Sequence, residues 1–544
     1  MKVDKQLKHA FLLSFTILTL LSLLTACHHK KQPLEKSFKI IAINDVYRSE
    51  GLDNGTIGGL ARVKTLRDQL IAEDSNVLFL HAGDFLQPSF SSRVNQGAAM
   101  IDIMNKLDGL NHGFDENMIV TFGNHEFDKS KLKYLPRLQQ RIDESEFTWL
   151  DSNINWLLDE KYGSIHSNKL QKWIVKDIAG IKVGLYSLTT DMAKPDYIAS
   201  FDDPIEVTKH YVPFLKSKGA QVVIALTHQQ LSDDKKILNL AESFRPDLIF
   251  GGHEHYRQLE QINQKWIVKA DADAASAAVI EIAVDNNGKI NVLPVFIDLD
   301  NSIEKERQLQ QEIENWKQQT SVKFCQKIKQ DSGCLDESYG STKIKLIAEE
   351  SEIRRFETNI GNFIADTARK AFKICKADIA LINSGSIRLN HNIAANSAIT
   401  RKHIEGMFAY PSNLKLIKIN GKILKQMLNH NIDMWTANGH WLLVSGIKYI
   451  HNPEDKSVTQ LRWSKNNKLI NDNEIFTAIV PNYLIDAHTD HDGYHMINES
   501  MLQSCNKNGS SLKQLLIKRI QNTPNGINPS VDGRICNTLR DNCK

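Results

Sequence analysis

The sequence predicts a two-domain α/β protein, and three observations predict it. Five short apolar runs in the first half of the chain each end on residues able to hold a metal ion. They are FKIIAIND at Asp45, NVLFLHAGD at Asp84, MIVTFGNHEFD at Asn124 and His125, QVVIALTH at His228, and DLIFGGHEH at His253 and His255. From about Phe38 to Asp300, strand-like and helix-like patterns alternate, as in a layered α/β unit. After a charged helical stretch and a turn-rich break, a second α/β pattern starts near Lys343 and runs to the end.

At the N-terminus, Lys2, Lys5 and Lys8 precede the apolar run AFLLSFTILTLLSLL, and Leu24-Thr25-Ala26-Cys27 follow. A basic region, an apolar core and a small-residue site in that order make an export signal. Leu-Thr-Ala-Cys also resembles the bacterial lipobox, which implies cleavage before Cys27 and lipidation of its sulfur. The competing reading is an uncleaved anchor helix. On either reading the body of the protein lies outside the cytoplasm, and His28 in place of Asp favours the outer membrane of a Gram-negative cell. Residues 1–27 are therefore read as signal and 28–37 as a solvated tether. The formal charge is +3, of which Lys2, Asp4, Lys5 and Lys8 supply +2. A body this close to neutral gives no footprint for a nucleic-acid polymer.

The five runs are rich in Ile and Val, which suits strands of a sheet covered on both faces. In such sheets functional groups collect in the loops beyond the carboxyl ends of the strands. Two divalent ions a few Å apart need a carboxylate that bridges them, with imidazoles and a carbonyl-type oxygen completing each shell. Nitrogen and oxygen donors without thiolate suit Zn, Mn or Fe better than Ca. Taken singly, each residue reads as an ordinary turn residue at a strand end. The ordered set D…GD…GNHE…H…GHxH repeats the same context five times, so it reads as one site.

The stretch 301–342 begins as a charge-dense helix and ends in a turn-rich break, a connector between domain 38–300 and domain 343–544. In the second domain, RFETNIGNFIAD reads as a capped helix start. ADIALINSGSIR reads as a strand ending in a tight turn, and Arg388 there is either a surface residue capping the turn or a bidentate partner for a phosphate. Of seven cysteines, six remain after Cys27, an even number suited to an oxidising compartment. Cys325 with Cys334 and Cys536 with Cys543 can close small loops, leaving Cys375 with Cys505.

These ordered motifs resemble those of the calcineurin-like metallophosphoesterases. The chain as a whole is similar to the bacterial and animal 5'-nucleotidases, which add a C-terminal substrate domain, and the resemblance runs from about Phe38 to about Ile497. It implies a metallophosphoesterase α/β sandwich followed by a smaller α/β nucleotide-binding domain. It implies that Asp45, Asp84 and His255 hold one of two divalent ions (Zn, Mn or similar). Asp84 would bridge to the second, held by Asn124, His228 and His253. His125 and Asp128 would form a catalytic pair, Arg388 would bind phosphate, Trp441 and Tyr483 would stack on the base, and Asp492 would contact the ribose. The chain departs from the family at the first motif, where Asp45-Val46-Tyr47 replaces D-x-H. Tyr47 then means either one ligand fewer at the first metal or a contact with substrate. A second departure is a longer spacing between Tyr483 and Asp492. The family's further phosphate-binding arginines have no clear counterpart, Arg401 being the one candidate.

The resemblance implies a lipid-anchored, extracytoplasmic phosphomonoesterase acting on nucleoside 5'-monophosphates. A 2',3'-cyclic-nucleotide phosphodiesterase with 3'-nucleotidase activity, or a nucleotide-sugar hydrolase, is the alternative on the same fold. A surface binding protein with weakened catalysis is the alternative of another class.

Overall fold

A computed structural model describes residues 36–109, 113–433, 435, 439–486 and 491–543. The export signal, Cys27 and all but the last two residues of the tether lie outside the described residues.

All five apolar runs are strands: β1 (Lys36–Ile43), β2 (Val77–His81), β3 (Asp115–Thr121), β4 (Val222–His228) and β5 (Leu248–Gly251). They do not share one sheet. β1, β2 and β3 lie side by side and parallel in a seven-stranded sheet, whereas β4 and β5 lie parallel in a six-stranded one. The alternation of side chains along a strand explains why the runs are apolar throughout. Ile40 and Ala42 of β1 face the other sheet, packing in one core with Leu78, Leu80, Ile224, Leu226 and Phe250. Their neighbours Ile41 and Ile43 face outward, into a second core with Phe79 and Val120 under the helices Leu60–Glu73 and Ala98–Asn105. Val223, Ala225 and Ile249 do the same on the far side beneath the helix Pro204–Ser217. Two sheets face to face with helices outside form the expected sandwich.

The charged stretch after residue 301 forms the helix α1 (Arg307–Lys327), and it does more than connect. Leu309 and Ile313 join the outer core of the first domain, and Trp316 Nε1 donates to Asp102 Oδ2 at 2.7 Å. A strand Ser338–Ser341, within the stretch read as a connector, pairs with Ala398–Thr400 of the second domain. The centre of that domain is a four-stranded sheet in the order Leu414–Asn420, Ile475–Pro481, Ile379–Asn383, Leu442–Ser445. The helix α2 (Asn359–Ala371) lies against it, capped by the Thr358 side chain, which accepts from Gly361 N. The disulfides are Cys325–Cys334, Cys375–Cys505 and Cys536–Cys543, one of the fifteen pairings that six cysteines allow. Among the described residues no helix is long and apolar enough to cross a membrane.

Candidate metal centre and substrate cleft

The carboxyl ends of β1, β2 and β3 meet those of β4 and β5 where the two sheets face each other, so the single edge expected from the sequence is two edges converging. The backbone bends sharply there. Asp45, Asp84, His253 and His255 have φ of 51°, 61°, 94° and 67°, a region that non-glycine residues enter only when their surroundings hold them. The holding bonds are present: Asp45 N donates to Gly83 O at 3.0 Å, and His253 N donates to Asp45 Oδ2 at 2.9 Å. Two glycines are required by close approach. A Cβ on Gly123 would lie 2.1 Å from Asp84 Oδ1, and one on Gly252 would lie 2.8 Å from Asp45 Oδ2.

Asp45, Asp84 and His255 each turn a donor atom to a common point, all within 4.8 Å of one another. His228 Nε2 lies 3.2 Å from Asp84 Oδ2, the His228 and His253 rings are 5.4 Å apart, and His253 Nδ1 lies 3.2 Å from Asn124 Oδ1. The predicted residues thus gather around Asp84, with Asp45, Asp84 and His255 forming one group of possible metal donors. His228 Nδ1 faces Ala82 O at 2.6 Å, which fixes the tautomer and leaves the lone pair of Nε2 on the side of Asp84. Burial works against a charge on His228, but Asp84 and Asp45 overcome it and push its pKa up to about 10. Burial, then His228 and Lys269, hold His253 neutral, as a ligand imidazole must be. This set of imidazole nitrogens, carboxylates and an amide oxygen fits Zn, Mn or Fe.

His125 and Asp128 are paired, Nδ1 to Oδ1, at 2.9 Å, and His125 N donates to Asp84 Oδ1 at 2.7 Å. Burial opposes a proton on His125; Asp128 and Asp84 outweigh it and raise the pKa. Glu126, beside them, accepts from four backbone amides: Asp84 N and Gly123 N on Oε2, Phe85 N and Leu86 N on Oε1, at 2.6 to 3.0 Å. It clamps the β2 and β3 turns together. Lys269 does the same for β4 and β5, donating to Gln229 O at 2.7 Å and Gly252 O at 3.0 Å.

The second domain reaches into this centre. Arg388 Nη2 lies 3.2 Å from His125 Nε2, while its Nε and Nη1 are buried with no hydrogen-bond partner among the described residues. Arg354 comes beside it, pairing with Glu350 at 3.0 Å and bringing Nη1 to 3.3 Å from His255 Nδ1. Sequence reasoning missed Arg354, Glu350 and Tyr410. Tyr410 donates to Asp128 Oδ2 at 2.6 Å and touches His125 Nδ1 at 3.0 Å, and Glu350 Oε2 lies 2.7 Å from His255 Nδ1. A buried Arg at the end of a short helix and a Tyr after an apolar run carry no signal until the domains are brought together.

Tyr483 and Asp492 meet despite the longer spacing between them. Tyr483 donates to Asp492 Oδ1 at 3.1 Å, and Asn383 Nδ2 donates to Oδ2 at 2.7 Å. Tyr483 is 37% exposed, so part of its ring faces solvent. Trp441 differs from the expectation of a stacking residue. It is 1% exposed, inside the second domain's core, 5.5 Å from the His451 ring. Standing immediately before the strand Leu442–Ser445, every residue of which is buried, it is drawn into the same core. Arg401 is paired with Glu337 and covers Tyr339 within the second domain, away from the metal centre.

Residues 38–257 match the calcineurin-like phosphoesterase model and residues 339–499 match the 5'-nucleotidase C-terminal domain model. The chain is 24% identical to the 5'-nucleotidase of Rattus norvegicus, over 88% of this chain and 85% of that one. It is 23% identical to a trifunctional nucleotide phosphoesterase of Bacillus subtilis over 87% of this chain, yet spans only 34% of that longer protein. Among solved structures, a 5'-nucleotidase precursor from Thermus thermophilus shares the fold. It has a TM-score of 0.74 at 20% identity, covering 93% of this chain and 100% of that one.

Proposed function

The chain belongs to the 5'-nucleotidase family, in which a calcineurin-like phosphoesterase domain precedes a 5'-nucleotidase C-terminal domain, and we propose that it is an exported two-metal phosphomonoesterase hydrolysing nucleoside 5'-monophosphates to nucleoside and phosphate. The observation that carries this reading is Arg388. Its buried guanidinium has two donor atoms with no hydrogen-bond partner among the described residues and stands against His125, with the Tyr47 and Tyr410 rings 5.9 and 5.8 Å away. A tetrahedral dianion fits a planar fork facing two cations.

Asp45, Asp84 and His255 would hold one ion, and Asp84, Asn124, His228 and His253 the other. When bound, the two ions supply Lewis-acid polarisation of the phosphoryl oxygens and activation of the attacking water. Arg388 and Arg354 fix the phosphate, the charge of Arg354 being balanced by Glu350. His125 has its Nδ1 engaged by Asp128 and Tyr410, so Nε2 is the atom presented to the phosphate. From there it stabilises developing charge and gives a proton to the departing ribose oxygen as the P–O bond breaks. Tyr483 offers a ring face to the base, with Asp492 held by Tyr483 and Asn383 to meet the ribose hydroxyls. The name of the rat relative supports the 5' position of the phosphate. Three disulfides support an oxidising compartment, and a lipid anchor at Cys27 fits it.

The test is phosphate release by the purified protein from 5'-AMP, 3'-AMP and 2',3'-cyclic AMP in parallel. Each is run with Mn or Zn, with EDTA, and with His125→Ala. Metal-dependent release from 5'-AMP, lost in the variant, supports the proposal. Release from the 3' or cyclic substrates alone moves the assignment to the sister activity, and silence on all three, with metal bound, points to a binding protein.

A further inference from the structure

Tyr47 stands where the family's first motif carries histidine, and its phenol oxygen points into the donor group. Tyr47 Oη lies 2.8 Å from His255 Nε2, 3.0 Å from Asp84 Oδ2 and 3.4 Å from Asp45 Oδ1. His255 Nε2 and Asp45 Oδ1 are themselves 3.4 Å apart. Donors bound about 2.0–2.2 Å from one ion, at angles between a right angle and the tetrahedral angle, lie roughly 2.8–3.6 Å from one another, and these four separations fall in that range. A phenol has one proton to give, so when His255 carries its own proton on Nδ1 the phenol can serve one of these three atoms. Three at once is the geometry of an atom sharing a centre with them. His255 is oriented to match: Nδ1 faces Glu350 Oε2 at 2.7 Å, which leaves the lone pair of Nε2 directed at the same point as Tyr47 Oη.

We propose that Tyr47 Oη is a direct ligand of the first metal ion, bound as phenolate beside Asp45, Asp84 and His255. The inference rests on the two-metal reading above. On binding, the phenol O–H bond breaks, an oxygen–metal bond forms, and one proton passes to solvent. The exchange replaces a neutral nitrogen with an anionic oxygen, so the site carries three anionic donors and one imidazole. That balance favours a harder or more highly charged ion, iron or manganese over zinc. Neither of the two readings left open by the sequence is needed, since the ligand count at the first metal is kept.

The experiment titrates metal into the full-length chain and into Tyr47→Phe and Tyr47→His, following metal stoichiometry, proton release and the near-ultraviolet absorbance of ionised tyrosine. Wild type should show one tyrosine's worth of ionisation at the first equivalent of zinc, and a visible charge-transfer band when loaded with ferric iron. Tyr47→Phe should lose both signals, release one proton fewer, and bind the first ion about tenfold or more weakly, with the second ion unaffected. Tyr47→His should recover the affinity without either signal, which separates lost ligation from a damaged fold. A wild type that binds two ions with no tyrosine ionisation, or a Tyr47→Phe variant with unchanged affinity and proton release, overturns the proposal. A wild type that binds no metal overturns instead the two-metal reading on which it rests.

Discussion

Replacing Lys269 with methionine tests whether the segments at the ends of β4 and β5, which carry His228 and His253, are held by one buried charge. Lys269 is 1% exposed, with Nζ 2.6 Å from Glu254 Oε2 and 2.9 Å from Asp234 Oδ2, and it donates to Gln229 O and Gly252 O as well. Gln229 follows His228, and Gly252 precedes His253. Methionine keeps the length of the side chain and removes the charge, leaving two buried carboxylates side by side. Breaking a buried ion pair in this way costs about 3–5 kcal/mol.

The cost should depend on pH in a direction the structure fixes. Burial raises the pKa of both Asp234 and Glu254, and Lys269 is the chief influence pulling each back. Without it both pKa values rise further in the folded state. Carboxyls with raised folded pKa values favour the fold below their unfolded values, and lose that advantage as pH climbs through the folded ones. The gap between wild type and Lys269→Met should therefore be widest at pH 8 and narrow towards pH 5. With an m-value near 3 kcal/mol/M, urea unfolding of the first domain should shift its midpoint by about 1–2 M at pH 8. Adding Asp234→Asn and Glu254→Gln should restore much of the loss. A midpoint unchanged at pH 8, or a gap that stays constant on acidification, refutes the reasoning.

Arg388→Lys keeps the charge and removes the fork, so kcat/KM for 5'-AMP should fall about tenfold or more in steady-state kinetics, one lost charged hydrogen bond being worth about 1.5–3 kcal/mol. His440 is buried in the second domain, and burial, followed by His430, lowers its pKa from the usual 6.5 to about 3. A histidine with a depressed folded pKa supports the fold above 6.5 and withdraws that support as pH falls toward 3. His440→Gln should flatten this part of the acid-stability curve by on the order of 3 kcal/mol at about pH 4.5, read by denaturant titration. Cys375–Cys505 closes a loop with a sequence separation of 130. Cys375→Ser with Cys505→Ser should lower the stability of the second domain by about 4–5 kcal/mol on the chain-entropy model, measured by its own unfolding transition.

The strands were legible because burial on both faces makes their sequences apolar throughout, and their ends were legible because carboxylates and imidazoles rarely follow such runs five times in order. Which sheet each strand joins was not. Ile40 and Leu226 read alike, yet they come from opposite sheets packed face to face. The helix α1 read as a connector because its surface is densely charged. Its buried face is the narrow stripe Leu309, Ile313 and Trp316, at helical spacing, which is enough to bind it to the first domain. Trp441 shows the opposite error: an aromatic before a strand looks the same whether it faces a ligand or the core, and the complete burial of Leu442–Ser445 in the second domain decides for the core. Lys269 carried no sign at all. A lysine in a strand is ordinarily solvated, and only Asp234 and Glu254, distant in sequence from each other, give it a buried partner.

The residues from the second domain divide by what they touch, and the division bears on how the two halves work together. Arg388 brings to the cleft donor atoms with no hydrogen-bond partner among the described residues, whereas Tyr410 reaches Asp128 and His125, and Glu350 reaches His255 with one oxygen while the other pairs with Arg354. A rotation that opened the cleft to admit a nucleotide would break these contacts in one movement. His125 would lose one of the two groups that engage Nδ1, and His255 would lose the carboxylate that fixes its tautomer. Closure would then do more than enclose the substrate: it would set the ring of the acid and the ring of a metal ligand in the same step that delivers Arg388. Because these contacts sit on separate segments of the second domain, at Glu350, Arg388 and Tyr410, they form together only when that domain moves as a body.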